Sequence, residues 1–436
     1  MIHSVFKDLI QRFPTWEKLE CYLESEEGGL FRVVDRSLPR CERDSILSPS
    51  ERGSEDGLCL IRYEKGVSNM LLPHSKWFRS VVWDTAMNRP VCVAPPKAAA
   101  ETCPFFTEVD REKSGVICQE LLDGVMINIF KRAGDETLHI TSRSKLDATG
   151  RFYSSKSFRH LFMESYTGWI VKPEEPLEWL IQQEAQRIAA PDESKGEKAV
   201  CYSFLVQHAD HRIVKKITQN AAFLIHKGIF YEDGTMHIKD QMTADDIPSH
   251  TIPQPPTLLI QGDLTTWLEN EMRQQPWDFQ GIVLKDQQGN RWRWRSEKYR
   301  VVKSLRGNSP ELMDRFVQLY LQNVTPMYLD FYPEDTVSFS FYTEFMHQVV
   351  KNIYESYMKL RVHKSCTIDQ IDKMYHPHLY ALHGIYLAHF RSIHKKMTAN
   401  DVYTYIRSQP WQRVAFLLRK YIDTYFLAIQ ETVEEL

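Results

Sequence analysis

The chain has 436 residues, 43% of them hydrophobic, enough for two or three domains with cores of their own. Its formal net charge of −3 excludes a global electrostatic pull on nucleic acid, so any such affinity has to come from local patches. The eight cysteines (Cys21, Cys41, Cys59, Cys92, Cys103, Cys118, Cys201 and Cys366) are scattered without a Cys-x-x-Cys pair, which argues against a zinc knuckle or a secreted disulfide scaffold.

The N-terminal run MIHSVFKDLIQRF is amphipathic but has no apolar signal core, and no stretch of about 18 apolar residues occurs. The expectation is a soluble, cytoplasmic protein with no membrane partner. Residues 2–26 predict two short helices broken at Pro14, because Val5, Leu9 and Ile10, then Trp16, Leu19 and Tyr22, recur at helical spacing. Residues 36–57 are polar and carry prolines and glycines, the composition of a mobile loop. Strands are predicted over Leu58–Tyr63, Ser80–Asp84 and Arg89–Val93, the last two as a hairpin, with Cys103–Phe106 leading onward.

The stretch from Gln119 to Gly150 predicts a second hairpin. Val125, Ile127 and Ile129 alternate with Met126, Asn128 and Phe130, the turn falls within Ala133–Glu136, and Leu138–Arg143 returns. Helices follow over Ser155–Met163 and Glu175–Ile188, then strands over Cys201–Gln207, His211–Val214 and Ala222–Phe230. Residues 242–256 carry four prolines and read as loop, Thr265–Arg273 as a helix, and Gly281–Leu284 and Arg291–Arg295 as strands. After Gly307 glycine becomes scarce and helical periodicity takes over, in Glu311–Gln322, Ser338–Leu360, Leu379–Lys396, Ala399–Ser408 and Trp411–Val433. The fold class expected is α+β, divided into N-terminal helices and loop (1–57), a sheet-bearing domain (58–307) and an all-α domain (308–436).

The strongest chemical signal is Arg291-Trp292-Arg293-Trp294-Arg295. Period-2 geometry puts three guanidiniums on one strand face and two indoles on the other. With Lys298, Arg300, Lys303 and Arg306 this makes seven cations in sixteen positions, suited to phosphate oxygens. The competing reading is a solvated edge strand, which also favours Arg and Lys. Five histidines (His376, His378, His383, His389 and His394) crowd the helical region without i,i+4 spacing, and read as structural or exposed rather than metal ligands. Arg361, Lys364, Arg391, Lys395 and Lys396 read equally as a solvated face or an extension of the basic surface.

Taken in order, several segments resemble the covalent nucleotidyltransferases, specifically bacteriophage-type RNA ligases and the ligase-like proteins of large DNA viruses. Leu121-Leu122-Asp123-Gly124 matches the Asp-Gly half of their Lys-x-Asp-Gly, and Ser142-Arg143-Ser144 their Ser-Arg element. Tyr202-Ser203-Phe204 and His211-Arg212-Ile213-Val214 resemble the third motif's surroundings, Gln280-Gly281-x-Val283-x-Lys285 their Glu-Gly-x-Val-x-Lys, and Arg293-Trp294-Arg295-Ser296 their Lys-x-Lys. Trp77–Lys97 is similar to the stretch before their lysine. The resemblance implies a nucleotidyltransferase (ATP-grasp-like ligase) domain of antiparallel sheets, with ATP and Mg as cofactors if active and RNA as partner. In that family a lysine amine attacks ATP to form lysyl–AMP, which is passed to an RNA 5′-phosphate.

The departures bear on that chemistry. Leu121 stands in the nucleophile slot, Gln280 in a carboxylate slot, and both closing lysines are arginine. The implied outcome is a protein that keeps a phosphate-binding surface, formed by Asp123, Gly124, Arg143, Gln280, Lys285, Arg293 and Arg295, but has lost adenylation. Nucleic-acid contacts would come from Arg291, Lys298, Arg300, Lys303 and Arg306. One alternative is an active RNA-repair ligase. If Arg132 pairs with Glu136 across a three-residue turn, Lys145 lies opposite Asp123 and diagonal to Leu121, as a displaced nucleophile. Another alternative is an assembly protein that reuses the fold.

Overall fold

A computed structural model describes residues 2–35, 57–100, 104, 107–172, 174–243, 246 and 252–434. The expected polar loop, apart from Gly57, lies outside the described residues, as do Cys41, Cys103, most of the link to Phe106 and part of the proline-rich segment 242–256. The chain forms two compact units, Met1–Lys303 and Ser304–Leu436.

The first unit begins with β1 (Ile2–His3), α1 (Val5–Arg12), α2 (Trp16–Glu24) and β2 (Arg32–Asp35). Next come β3 (Leu58–Arg62), β4 (Val81–Asp84), β5 (Arg89–Val93), β6 (Ala99–Ala100), α3 (Glu108–Lys113) and β7 (Ile117–Glu120). The central run is β8 (Val125–Arg132), β9 (His139–Ser142), α4 (Phe158–Thr167), α5 (Glu178–Arg187), β10 (Glu197–Gln207), β11 (Ala221–Tyr231) and β12 (Met236–Lys239). It closes with β13 (Thr257–Leu258), α6 (Leu264–Gln274), β14 (Gly281–Lys285), β15 (Arg291–Arg295) and α7 (Glu297–Arg306), inside which the unit boundary falls.

These strands make three sheets, ordered β1-β12-β11-β10-β8-β9, β13-β7-β14-β15-β6 and β2-β3-β4-β5. The long strands β8, β10 and β11 alternate, so each face of the six-stranded sheet has its own cover. Ile127, Ile129, Tyr202 and Phe204 pack with Leu161, Phe162, Leu180 and Ile181 of α4 and α5. On the opposite face Phe130, Cys201 and Phe230 pack with Val91, Val93, Trp83, Phe6 and Leu19. The N-terminal helices, read from sequence as a segment apart, thus share the first unit's core, and β1 pairs with β12. In the five-stranded sheet Trp292 and Trp294 face Leu264 and Leu268 of α6, the side predicted for the indoles.

Two further expectations change in the first unit. His211–Val214 is not a strand; beyond an isolated bridge from His208 to His211, its backbone turns toward Asp123. The β8–β9 hairpin forms, but with Ile127 opposite Ser142 and Asn128 opposite Thr141, one residue off the pairing that placed Lys145 opposite Asp123.

The second unit is helical, as its periodicity predicts: α8 (Leu312–Gln322), α9 (Thr325–Phe331), α10 (Thr336–Tyr357), α11 (His376–Ile385), α12 (Ala399–Arg407) and α13 (Trp411–Glu434). Its core includes Phe316, Tyr328 and Phe339, with Tyr328 and Phe339 stacked at 4.9 Å. The helix expected over Leu379–Lys396 is shorter, because a π turn at Tyr386–Phe390 and a 3-10 turn at Arg391–Ile393 follow α11, and His394 adopts a left-handed conformation. No helix among the described residues is long and apolar enough to cross a membrane.

Candidate anion-binding cleft

β7 belongs to the five-stranded sheet and β8 to the six-stranded one, so Leu121–Gly124 is the crossing between them. The Leu121 amide donates to the Gly281 carbonyl at 2.9 Å, tying the crossing to the start of β14. Gly124 and Gly281 are required by close approach. A Cβ at Gly124 would lie 2.4 Å from the Val206 carbonyl oxygen, and one at Gly281 (φ +141°) would lie 2.0 Å from that of Trp294.

Asp123 follows in this crossing and is 7% exposed. Its Oδ1 accepts from the Tyr299 hydroxyl at 2.6 Å, and its Oδ2 from the Val214 and Lys215 amides at 2.9 and 3.1 Å. Its carbonyl accepts from Gln207 Nε2 at 2.8 Å. The carboxylate expected to hold a nucleotide is therefore a tie between the crossing, the 214–215 turn and α7.

A second buried carboxylate, Asp240, belongs to an ionic group. His226 on β11 donates through Nδ1 to Asp240 Oδ1 at 2.8 Å, and Arg291 Nε stands 3.4 Å from Asp240 Oδ2. That contact links the six-stranded sheet, through His226 of β11, to the five-stranded sheet, through Arg291 of β15. Cross-strand pairing aligns Thr141, Asn128, Ser203 and His226 in a buried polar row on the first. On the second, pairing sets Lys285 beside Arg291, Val283 beside Arg293 and Gly281 beside Arg295, so the cations share one face.

The charges here are out of balance. Lys285 is 1% exposed, and its ammonium makes no hydrogen bond or ion pair among the described residues. Burial, followed by the Arg291 guanidinium, pushes its ammonium down to about 7, with Asp240 opposing. Arg79, just before β4, is pushed down to about 10 by burial and then by Arg291, Arg143 and Arg293. Burial and Arg293 lower Arg295, and burial followed by Arg295 lowers Lys303, whose amine lies 5.7 Å over the Tyr299 ring. Burial, then Arg32 and Arg143, lower Arg62, and the exposed Arg143 guanidinium lies 4.6 Å over the Tyr63 ring. Against these cations stand Asp123 and Asp240. Burial pushes Asp240 up, but Arg291, His226 and Lys285 hold it well below the usual carboxylate range.

Several buried polar atoms in this region also have no hydrogen-bond partner among the described residues. They include the donors Asn128 Nδ2 and Arg295 Nε. Asn128 Oδ1 is used, accepting from Ser203 at 2.7 Å, which leaves its amide donors for something else. An orphaned buried donor costs about 1–3 kcal/mol, so two of them beside cations that outnumber the carboxylates form an arrangement that an acceptor-rich anion would complete.

The other expected site residues lie elsewhere or are committed. Gln280 is buried, its carbonyl bonded to the Ser296 amide. Arg291 is interior, held by Asp240, and not on a nucleic-acid-facing surface. Lys298 donates to the Arg273 and Gln275 carbonyls at 3.0 and 2.9 Å, closing the C-terminal end of α6. Arg300 pairs with Glu297 on the exposed side of α7. Arg306 belongs to the helical unit, bonded to the Tyr328 hydroxyl and Asp335; burial lowers its pKa, but Tyr328 and Asp335 together raise it further than burial depresses it.

Lys145 is exposed on the turn after β9, where its carbonyl accepts from the Ser142 amide at 2.9 Å. The hairpin's register and this turn remove the alignment that put it diagonal to Leu121. His376, His378 and His383 are held by the Ile371 carbonyl, Tyr405 and Tyr357 respectively. Arg62, Tyr63, Arg79, Asn128, His226 and Asp240, whose polar or charged groups are described above, carry no signal of their own in the sequence. Trp77–Lys97, which contains Arg79, is marked there by resemblance alone.

Two other places hold charged groups. A concavity of about 960 Å³ beside β8, β9 and α5 includes Arg132, Asp135 and His139. There Arg132 pairs with Asp84 and Asp135, and Asp135 with His139, so its charges are matched internally. Glu164, His208 and Asp210 have a metal-like spacing, but Lys156 Nζ stands 2.8 Å from Glu164 and 3.1 Å from Asp210, where a cation would sit.

No protein-family model matches the chain, and no curated protein matches it.

Proposed function

We propose that the first unit is an RNA-ligase-like nucleotidyltransferase fold that binds RNA ends through the cleft and no longer adenylates itself. The observation carrying this reading is the row of cations from Arg79 to Lys303 around a crossing that bears Leu121, Asp123 and Gly124. The segments that resemble ligase motifs fall in the crossing before β8, at the end of β9, on β10, in the 211–214 turn and on β14 and β15, and the crossing is hydrogen-bonded to both that turn and the start of β14. That convergence supports the resemblance beyond its short motifs. A guanidinium-rich wall fits phosphate oxygens, and the indoles behind it brace the strand.

Leu121 offers no nucleophile, and neither Lys145, the displaced candidate, nor Lys285 takes its place. Lys145 lies on an exposed turn, and Lys285 is enclosed. The protein would act inside cells, a compartment supported by the buried free thiols of Cys92, Cys118 and Cys201.

The test is incubation with ATP labelled at the α-phosphorus, followed by denaturing electrophoresis, alongside an anisotropy titration with 5′-phosphorylated RNA. The expected result is salt-sensitive RNA binding and no label. Covalent label abolished by a single lysine substitution would replace this reading with the active-ligase one, and absence of RNA binding would remove it.

A further inference from the structure

The ligase resemblance implies magnesium, and the donors in this cleft do not fit it. Magnesium requires oxygen ligands, usually one or two carboxylates together with substrate phosphates. Among the described residues the cleft has two buried carboxylates, and both are committed. Asp123 takes a hydroxyl and two amides, and Asp240 is enclosed by His226, Arg291 and Lys285. The position where the resemblance calls for a further carboxylate holds Gln280. What the cleft offers instead is positive charge and unpartnered N–H groups, from Asn128 and Arg295.

Resting on the proposed reading of this cleft as a phosphate-binding site, we infer that it holds phosphate groups directly, by guanidinium and ammonium groups, with no bridging divalent cation. Arg79, Arg293, Arg295 and Lys303 supply the charge that a metal ion supplies in an adenylating site. Guanidinium forks bind phosphate oxygens in pairs, and in a low-dielectric cleft such contacts are strong. A divalent cation would meet the same cations and be repelled. Magnesium bound to the ligand in solution would have to be shed on entry, so it would compete with the protein for the phosphates.

The experiment uses the full chain and two probes, inorganic tripolyphosphate by calorimetry and a 5′-phosphorylated RNA oligonucleotide by anisotropy. Each is titrated in EDTA and in millimolar magnesium at matched ionic strength. The expected result is binding in EDTA that is unchanged or weakened by magnesium. Arg293→Ala should weaken it about tenfold or more, and Arg293→Lys should restore part of the loss. Circular dichroism of both variants keeps a folding defect separate. Binding that appears only with magnesium, or strengthens about tenfold with it, overturns the inference, as does failure of both probes in EDTA. Metal-independent binding of tripolyphosphate without any RNA binding would uphold the inference while removing the proposed RNA function. RNA binding that needs magnesium would do the reverse.

Discussion

Tyr299, on α7, donates its hydroxyl to Asp123, in the crossing between the two large sheets, at 2.6 Å across 176 residues of sequence. This bond joins the element that resembles a ligase's first motif to the helix that follows its last. It also commits an oxygen that a nucleotide-binding role would leave available.

Tyr299→Phe removes that donor and leaves Asp123 with its two backbone amides. A hydrogen bond to a charged group contributes about 1.5–3 kcal/mol, and Tyr299 is fully buried, so stability should fall by about that amount. Denaturant unfolding of the variant checks this. An unchanged midpoint would mean the bond is not structural.

Lys285 sets a pH dependence. Its folded pKa of about 7 lies below the ordinary 10.5. Between these values the unfolded chain holds a proton that the folded chain has released, so stability from this group rises with pH, by up to about 1.4 kcal/mol per unit. Below about pH 7 both states are protonated and the full burial cost applies. Lys285→Met should therefore be more stable than the parent at low pH, with the advantage shrinking as pH rises toward 10.5. Unfolding free energies of both proteins across that range test it, and a constant difference would contradict it.

Anion binding should reverse the burial effect on the same lysine. A phosphate near Lys285 favours its charged form, so binding above pH 7 should take up a proton. Calorimetry of tripolyphosphate in buffers of different ionisation enthalpy measures that uptake. It should be reduced in Lys285→Met.

Gly281→Ala places a Cβ against the Trp294 carbonyl at a φ of +141°. Neither backbone can yield without opening the β14–β15 pairing, so a loss above about 2 kcal/mol is expected. Thermal unfolding of the purified variant checks it, and a near-neutral effect would show that the hairpin can reshape.

Much of the fold was legible because alternation and helical spacing are local signals. β8, β10, β14, β15 and α8, α10, α12 and α13 of the second unit lie close to their predicted ranges, whereas α11 is shorter than expected and α9 was not expected. The split of β15 into a guanidinium face and an indole face followed from period 2 alone. Non-local facts were not legible. The β8–β9 loop runs from Ala133 to Leu138, and its length shifts the register by one residue and takes Lys145 out of line with Asp123.

The basic run after β15 likewise looked uniform in sequence but divides by direction once helical. Lys298 turns to α6, Arg300 to solvent, Lys303 to the cleft and Arg306 into the second unit. Arg79 and Asp240 carry no periodic or spacing signal as site residues. They reach the site only because separate strands converge on it.

The central claim is that cations on one face of β15 bind nucleic-acid phosphate. The most direct measurement is the salt dependence of RNA affinity for the parent and for the Arg293→Ala, Arg295→Ala double variant. Removing one cation that touches phosphate should lower the log–log slope by about one, so the double variant should show a slope shallower by about two, with weaker binding to every RNA sequence. An unchanged slope and affinity in a folded double variant would contradict the account.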